Sequence, residues 1–283
     1  MTDTLQSYRQ DLAIKGYSPK TQATYLGCVR KFLAATGKPA SSLAKDDIKS
    51  HLFRIIDSGK CSVSTMNQTY SAIKYFFRST LSKPWELEGI PRVKKQSKLP
   101  PILTKEEALA VIRHAAGVKH RAMLALVYGS GLRVSEIPKL EPADIVRDKL
   151  RLKIRQGKGA KDRYAILSQR CLDYLGYYWR TYRPQGPLFE GRVKGRPISA
   201  RACQHAFALA KKNAGIVKKC GIHALRHSFA THFLEAGGGI FQLQKFLGHK
   251  KIKTTLVYCQ FQEERVIARS PLDVYAGKDT LDR

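Results

Sequence analysis

Acidic residues are scarce in this chain. Asp and Glu number 22 against 51 Lys and Arg, leaving a formal charge of +29. An imbalance of that size points to a polyanionic partner, most simply nucleic acid, and argues against a cationic one. The few carboxylates form no convincing cluster of the kind a metal-dependent nuclease or transposase uses. Cysteine is equally sparse. Cys28, Cys61, Cys171, Cys203, Cys220 and Cys259 are scattered, with no C-x-x-C, so neither a disulfide framework nor a zinc site is expected. His223 and His227 have the i, i+4 spacing of a metal pair, but no H-E-x-x-H accompanies them, and no metal or cofactor is expected. No run approaches the ~18 apolar residues of a membrane span. The first residues, M-T-D-T-L-Q-S, carry neither the basic nor the apolar region of a signal peptide, and a cytoplasmic protein associated with the nucleoid is expected. Repeats and low-complexity segments are missing too.

What is present is enough for two domains: 283 residues, 43% of them hydrophobic. Residues 1–81 read as a small helical bundle. Leu5, Tyr8 and Leu12 share one face. Ser18-Pro19 starts a second helix carrying Tyr25, Val29 and Phe32. Asp46 and Asp47 open a third with Ile48, Leu52 and Ile55, which Gly59 ends. A fourth over 62–78 aligns Met66, Tyr70, Ile73 and Phe77. Lys15, Lys20, Arg30, Lys31, Lys49, Lys60, Lys74 and Arg78 lie on the other faces. They suit backbone phosphates or an ordinary solvated surface. Residues 82–103 read as a linker, with Pro84, Pro91, Pro100 and Pro101 and a basic run that includes Lys94 and Lys95.

Residues 104–283 read as a mixed α+β domain with a small antiparallel sheet, so the chain as a whole is mainly α. Thr104 and Glu107 form a capping box. Arg121 to Tyr128 reads as a short apolar helix, and Ser130-Gly131 turns the chain to present Arg133, with Glu136 three residues on along the same helical face. Leu150, Leu152 and Ile154, and then Tyr164 and Ile166, alternate with polar residues and predict a hairpin. Its turn, Q-G-K-G-A-K-D-R, holds Lys158, Lys161 and Arg163, and a true P-loop is absent. Leu172, Leu175, Tyr178, Trp179 and Tyr182 predict a core-facing aromatic helix. Ser199 caps another, reaching about Ala214. Lys211, Lys212, Lys218 and Lys219 then make a basic approach to His223.

Residues 223–258 carry the densest chemistry. Leu225, Phe229 and Phe233 mark the apolar face of one helix, while His223 and Arg226 share a different face. Gly237, Gly238 and Gly239 break it. Ile240, Leu243 and Leu247 begin a second helix that Gly248 closes, leaving His249 just beyond its end. Thr254 and Thr255 are candidate caps for a third helix with Tyr258 in its first turn. A guanidinium can grip a phosphate with two parallel hydrogen bonds, a histidine can donate or carry a proton, and a tyrosine hydroxyl with help can attack phosphorus.

H-A-L-R-H-S-F-A-T-H, then L-G-H, then Tyr258 nine residues beyond His249, resembles the tyrosine recombinase family of phage integrases and Xer-type enzymes. Y-G-S-G-L-R-V-S-E-I at 128–137 resembles that family's first arginine motif, and G-K-G-A-K-D-R at 157–163 its lysine-bearing hairpin. The resemblance runs from Arg133 to Tyr258, and the N-terminal bundle fits the family's SAM-like core-binding domain. It implies catalytic roles for Arg133, Lys158, His223, Arg226, His249 and the nucleophile Tyr258, with Glu136 orienting Arg133. Lys161, Arg163, Lys94, Lys95, Lys211 and Lys212 are then expected on DNA. It further implies a 3′-phosphotyrosine intermediate, double-stranded recombination sites, and a homotetramer in the synaptic complex from a monomer or dimer off DNA. The tail after Tyr258, with Val266, Ile267, Leu272, Val274 and Tyr275, is expected either to pack on a neighbour, as C-terminal segments do in relatives, or to cover its own core. Integration, excision and resolution, as in mobile elements, share one such site. Two rivals remain: a DNA-binding regulator without catalysis, and a DNA-relaxing enzyme like type IB topoisomerases.

Overall fold

The computed structural model describes residues 2–59, 61–83, 99–155 and 162–261. The chain divides into two compact units, Met1–Lys98 and Leu99–Arg283.

Among the described residues the first unit holds four α-helices: α1 (Thr2–Ile14), α2 (Pro19–Thr36), α3 (Lys45–Asp57) and α4 (Val63–Tyr75). Local chemistry sets their ends. The Ser18 hydroxyl accepts from Thr21 N–H, Pro19 fills the first turn, and Gly37 closes α2 at φ +63°. Asp47 accepts from the Ala44 N–H at 2.9 Å and so holds the start of α3. The chain leaves α4 through a π-turn, Phe76–Thr80, which puts Phe76 and Phe77 in the core with Tyr8, Leu12, Val29, Phe32, Ile48, Leu52, Tyr70 and Ile73. Lys15, Lys20, Arg30, Lys31, Lys49 and Arg78 are exposed and Lys74 is half-buried, while Lys60 lies outside the described residues.

In the second unit, Thr104 and Glu107 make the expected capping box at the head of α5 (Lys105–Arg113). Next comes α6 (Gly117–Ser130), longer than its apolar stretch suggests and buried without a break from Ala122 to Val127. A helix apolar on all sides belongs at the centre, and α7 (Gln169–Tyr182), α5 and α8 (Ala200–Asn213) pack around it. The sheet has strand order β1 (Ile145–Val146), β2 (Arg151–Ile154), β3 (Arg163–Ile166), all antiparallel. Three helices follow: α9 (His223–Glu235), α10 (Ile240–Leu247) and the single-turn α11 (Lys253–Leu256), which runs into a 3₁₀ turn over Val257–Phe261.

Several expectations change. The register pairs Leu152 with Ala165, so Ala165 is the fully buried residue of β3 and Tyr164 faces out at 48% exposure. Leu150 precedes β2 at φ +47°, largely exposed, and is no part of the alternation. The pair β1 was not legible at all, because two residues carry no period. On α7, Cys171, Leu175 and Tyr178 face the core, whereas Trp179 and Tyr182 are exposed. Leu103, read from sequence as linker, is fully buried, and its N–H donates to the Ser228 hydroxyl at 2.8 Å.

Candidate active site

The site is built where the ends of α6 and α10 meet α9. Arg226 sits on the inner side of α9 with 4% exposure. Its Nη1 donates to the Gly131 carbonyl at 2.5 Å, and its Nη2 to the Leu247 carbonyl at 2.8 Å and to His249 Nε2 at 3.2 Å. Two helix C-termini thus supply the partners of one buried cation, as their dipoles favour. Glycine permits the approach. Gly131 ends α6 at φ +62°, and a Cβ there would lie 2.4 Å from the Phe229 ring. Gly248 ends α10 at φ +61°, with its would-be Cβ 2.6 Å from Arg163 Cδ.

Arg133 follows Gly131 in a turn, not a helix. The Glu136 N–H donates to the Arg133 carbonyl at 2.9 Å. Glu136 accepts from the Arg133 N–H at 2.8 Å and from Arg133 Nη1 at 2.9 Å, so its pairing with Arg133 comes from turn closure and not from a shared helical face. Glu136 is 5% exposed and also binds Arg163 through both oxygens, at 2.6 and 2.9 Å. Burial works to raise its carboxyl pKa; the bidentate hydrogen bonds and charge of Arg163, with the Arg133 N–H, overcome that and bring it to about 2. Arg163 is the residue whose expected role changes. Its Nε donates to the Phe246 carbonyl at 2.9 Å and its remaining nitrogens go to Glu136, so this buried side chain braces β3 against α10 instead of meeting DNA phosphate.

His249 donates or accepts at both ring nitrogens. Nε2 faces Arg226 and must accept, which leaves Nδ1–H to donate to Thr255 Oγ1 at 3.0 Å. Burial, then Arg226 and Arg133, lowers its pKa to about 4. Thr255 is accordingly a buried partner inside α11, where a helix cap was expected. Tyr258 lies in the 3₁₀ turn after α11, 4% exposed, stacked on His249 at 15° between ring planes. Its hydroxyl is 2.9 Å from His227 Nδ1. Burial raises the phenol pKa, while Arg226 and Arg133 pull it down. Burial, then His223 and Arg226, brings His227 to about 4.

Arg133, Glu136, Arg226, His249 and Tyr258 therefore come together. His223 opens α9 at an exposed position, and no hydrogen bond joins it to Tyr258 among the described residues. Lys158, Lys161, Lys94 and Lys95 lie outside the described residues. Lys212 is exposed; Lys211 is half-buried and donates to the Lys218 carbonyl at 2.7 Å. Sequence reasoning missed the polar roles of His227 and Thr255. The one pattern His227 enters in the sequence is its i, i+4 spacing with His223, which points to a metal pair and not to a tyrosine partner. The glycine run resolves as well: Gly237 has φ +86° and Gly238 lies against the Phe233 ring, while Gly239 meets neither demand. Among the described residues no group of three His, Cys, Asp or Glu could hold a metal ion. Arg133 and Arg163 share the Glu136 carboxylate and Arg226 lies beside them with only carbonyl and imidazole partners, an excess of positive charge suited to a phosphodiester.

Residues 101–265 match the Phage integrase family, and residues 4–87 match the Phage integrase, N-terminal SAM-like domain. A putative integrase/recombinase of Sinorhizobium fredii is 35% identical, over 95% of this chain and 88% of its own. The tyrosine recombinase XerA of Pyrococcus horikoshii is 32% identical, over 91% of this chain and 88% of its own. Among solved structures, a lambda integrase dimer bound to a COC′ core site superposes with TM-score 0.74 at 20% identity, covering 90% of this chain and 96% of that one. A lambda integrase tetramer bound to a Holliday junction gives 0.71 at 21% identity, covering 88% and 77%. At these identities the two structures speak for the fold.

Proposed function

The chain belongs to the phage integrase family of tyrosine recombinases and is a site-specific DNA recombinase, and from that premise we propose that its strand cleavage runs through Tyr258. The observation that carries this reading is the position of that hydroxyl: buried, stacked on His249, and under the pull of Arg226 and Arg133. Arg133 and Arg226 bind the nonbridging oxygens of the scissile phosphate and stabilise the charge that builds in the pentacoordinate transition state. Glu136 holds Arg133 in place. His249, an acceptor from Arg226 at rest, becomes a phosphate donor once it takes a proton, which the arriving anion favours. Lys158 protonates the departing 5′ oxygen, help of a kind worth ~10²–10⁴-fold. Tyr258 is left as a 3′-phosphotyrosine beside a free 5′-hydroxyl. The phosphodiester energy is conserved, so resealing to a partner strand proceeds without ATP. His223, at the start of α9, accepts or positions the proton that Tyr258 gives up.

Residues 1–81 form the core-binding unit of this reading, 82–103 the basic linker and 104–283 the catalytic unit. Lys94, Lys95, Lys161, Lys211 and Lys212 add contacts to DNA. The substrate is a double-stranded recombination site, and a homotetramer assembles on two of them, in the nucleoid of the cytoplasm. No described helix is long and apolar enough to cross a membrane. A plasmid assay separates this from its rivals. Exchange between two sites that Tyr258→Phe abolishes supports it; relaxation of a plasmid without the site points to a topoisomerase, and binding without exchange to a regulator.

A further inference from the structure

The guanidinium of Arg163 is turned inward and bonded to protein, although its sequence context places it on DNA. From those bonds we propose that Arg163 is a positioning residue for strand cleavage: it does not touch the phosphate, and it holds Glu136 and the end of α10 so that Arg133 and His249 meet the scissile phosphate together. The proposal rests on Arg133 and His249 as phosphate ligands and on Tyr258 as the nucleophile.

One closed circuit of bonds carries it. Arg163 leaves β3 and passes over Gly248, where a Cβ would lie 2.6 Å from its Cδ. Its Nε donates to the Phe246 carbonyl at 2.9 Å, near the C-terminal end of α10. Its Nη1 and Nη2 donate to the two oxygens of Glu136, at 2.6 and 2.9 Å. Glu136 accepts in turn from the Arg133 N–H and from Arg133 Nη1. Arg133 Nη2 then donates at 3.3 Å to the carbonyl of Gly248, the residue before His249. The circuit joins the turn that presents Arg133 to the helix end that presents His249, and Arg163 anchors both.

Exposure gives the two arginines different tasks. The Arg163 side chain is 9% exposed and that of Arg133 20%, so the more open Arg133 is left to face the phosphate. The Arg163 fork is filled by a carboxylate, a geometry that fixes orientation as well as charge. Glu136 is faced by Arg133 in its own turn, by Arg163 on β3, and by Arg226 and His223 on α9. Burial disfavours its ionised form, and Arg163 is the largest influence that opposes burial. Without Arg163 that opposition is lost, and Glu136 loosens its hold on Arg133.

The test uses the full chain with nicked suicide duplexes. It reads site binding and, at saturating protein, the rate of covalent adduct formation. Arg163→Gln should bind the site as the parent does and form adduct about 10²-fold more slowly, the loss a small misplacement of reacting groups produces. Arg163→Lys keeps the charge but not the fork, and should fall between, about tenfold below the parent. Because Arg163 acts through Glu136, the two effects should not multiply: in a Glu136→Gln background, Arg163→Gln should cost less than about threefold. A folded Arg163→Gln with the parental rate overturns the proposal. So does an equal fold-loss in both backgrounds, since Arg163 would then act elsewhere, or a loss confined to site binding, which returns Arg163 to the DNA. Full recovery of Arg163→Gln on a 5′-bridging phosphorothiolate, whose leaving group needs no acid, overturns it too, because the defect would then lie at O5′. If Arg163→Gln melts below the assay temperature, Arg163→Lys carries the same comparison; failure of both to fold marks Arg163 as structural and also overturns it. An adduct that survives in Tyr258→Phe instead defeats the nucleophile assignment itself.

Discussion

Tyr8 and Tyr258 are both buried tyrosines, at 0% and 4% exposure, yet their surroundings differ in kind. Tyr8 sits among Tyr75, Phe76 and the rest of the helical core of the first unit, and its hydroxyl donates to the Ala72 carbonyl at 2.9 Å. Desolvation and neighbouring phenols raise its pKa, and nothing opposes them. Tyr258 is as well covered, but its cover is polar: a histidine at the hydroxyl, a second stacked on the ring, and two guanidiniums that work against the cost of burial. An apolar shell makes a phenol inert. A shell of cations and a titratable partner makes the same group a candidate nucleophile. The difference also shows in how each region is held. The first unit is stabilised by apolar burial. The site depends on buried charges, which are tolerated only while every partner is present.

The sharpest way to break that contrast is to remove a charge from the site. Arg226→Ala should slow adduct formation by ~10²–10³-fold, the loss typical of one transition-state donor. It also strands the Gly131 and Leu247 carbonyls, so a thermal melt should show destabilisation beyond that of an exposed Arg→Ala change. Unchanged adduct kinetics would mean the buried arginine is only scaffold. Next in size is Glu136→Gln, which leaves Arg133 and Arg163 without their shared carboxylate; urea unfolding should lose about 3 kcal/mol, the cost of breaking a buried pair.

The pH dependence of stability follows from the same groups. Glu136 is depressed from 4.5 to about 2, so its contribution is present above pH 4.5 and lost as pH falls toward 2. His227 and His249 are depressed from 6.5 to about 4, and the unfolded chain binds those protons first. Stability should therefore begin to fall as pH drops below 6.5, and Glu136→Gln should flatten only the lower part of the curve. Smallest of all, Tyr8→Phe should cost ~1 kcal/mol, the worth of one hydrogen bond, and leave adduct kinetics untouched. A kinetic effect from Tyr8 would remove the contrast between the two tyrosines.

The same division governs what could be read from sequence. The helices of the first unit were legible because each buries one face at helical period and begins at a residue that caps its own backbone, as Ser18 does. Arg133, Arg226, His249 and Tyr258 were legible as a set because their types and order suit phosphate chemistry. Their partners were not. His227 meets a residue 31 positions away, Arg163 reaches Glu136 27 positions away, and the Leu152–Ala165 pairing fixes which face of β3 is buried. Such contacts depend on how separate segments dock, and no local pattern records them. Alternation suggested Tyr164 inward because an aromatic and a β-branched residue two apart look like one face; register chose Ala165. The exposure of Trp179 and Tyr182 on α7 teaches the same thing, since periodicity finds a stripe but not its width.

The central claim is that Tyr258, held in a cationic pocket, is the residue that joins DNA. The most direct test mixes the purified chain, in EDTA, with nicked suicide duplexes tiled across the DNA flanking its own gene, beside Tyr258→Phe. The structure predicts an SDS-stable protein–DNA adduct that forms without divalent metal and is absent from Tyr258→Phe, although that variant still binds the same duplex. An adduct of equal yield from Tyr258→Phe, or one formed only when metal is supplied, would contradict it.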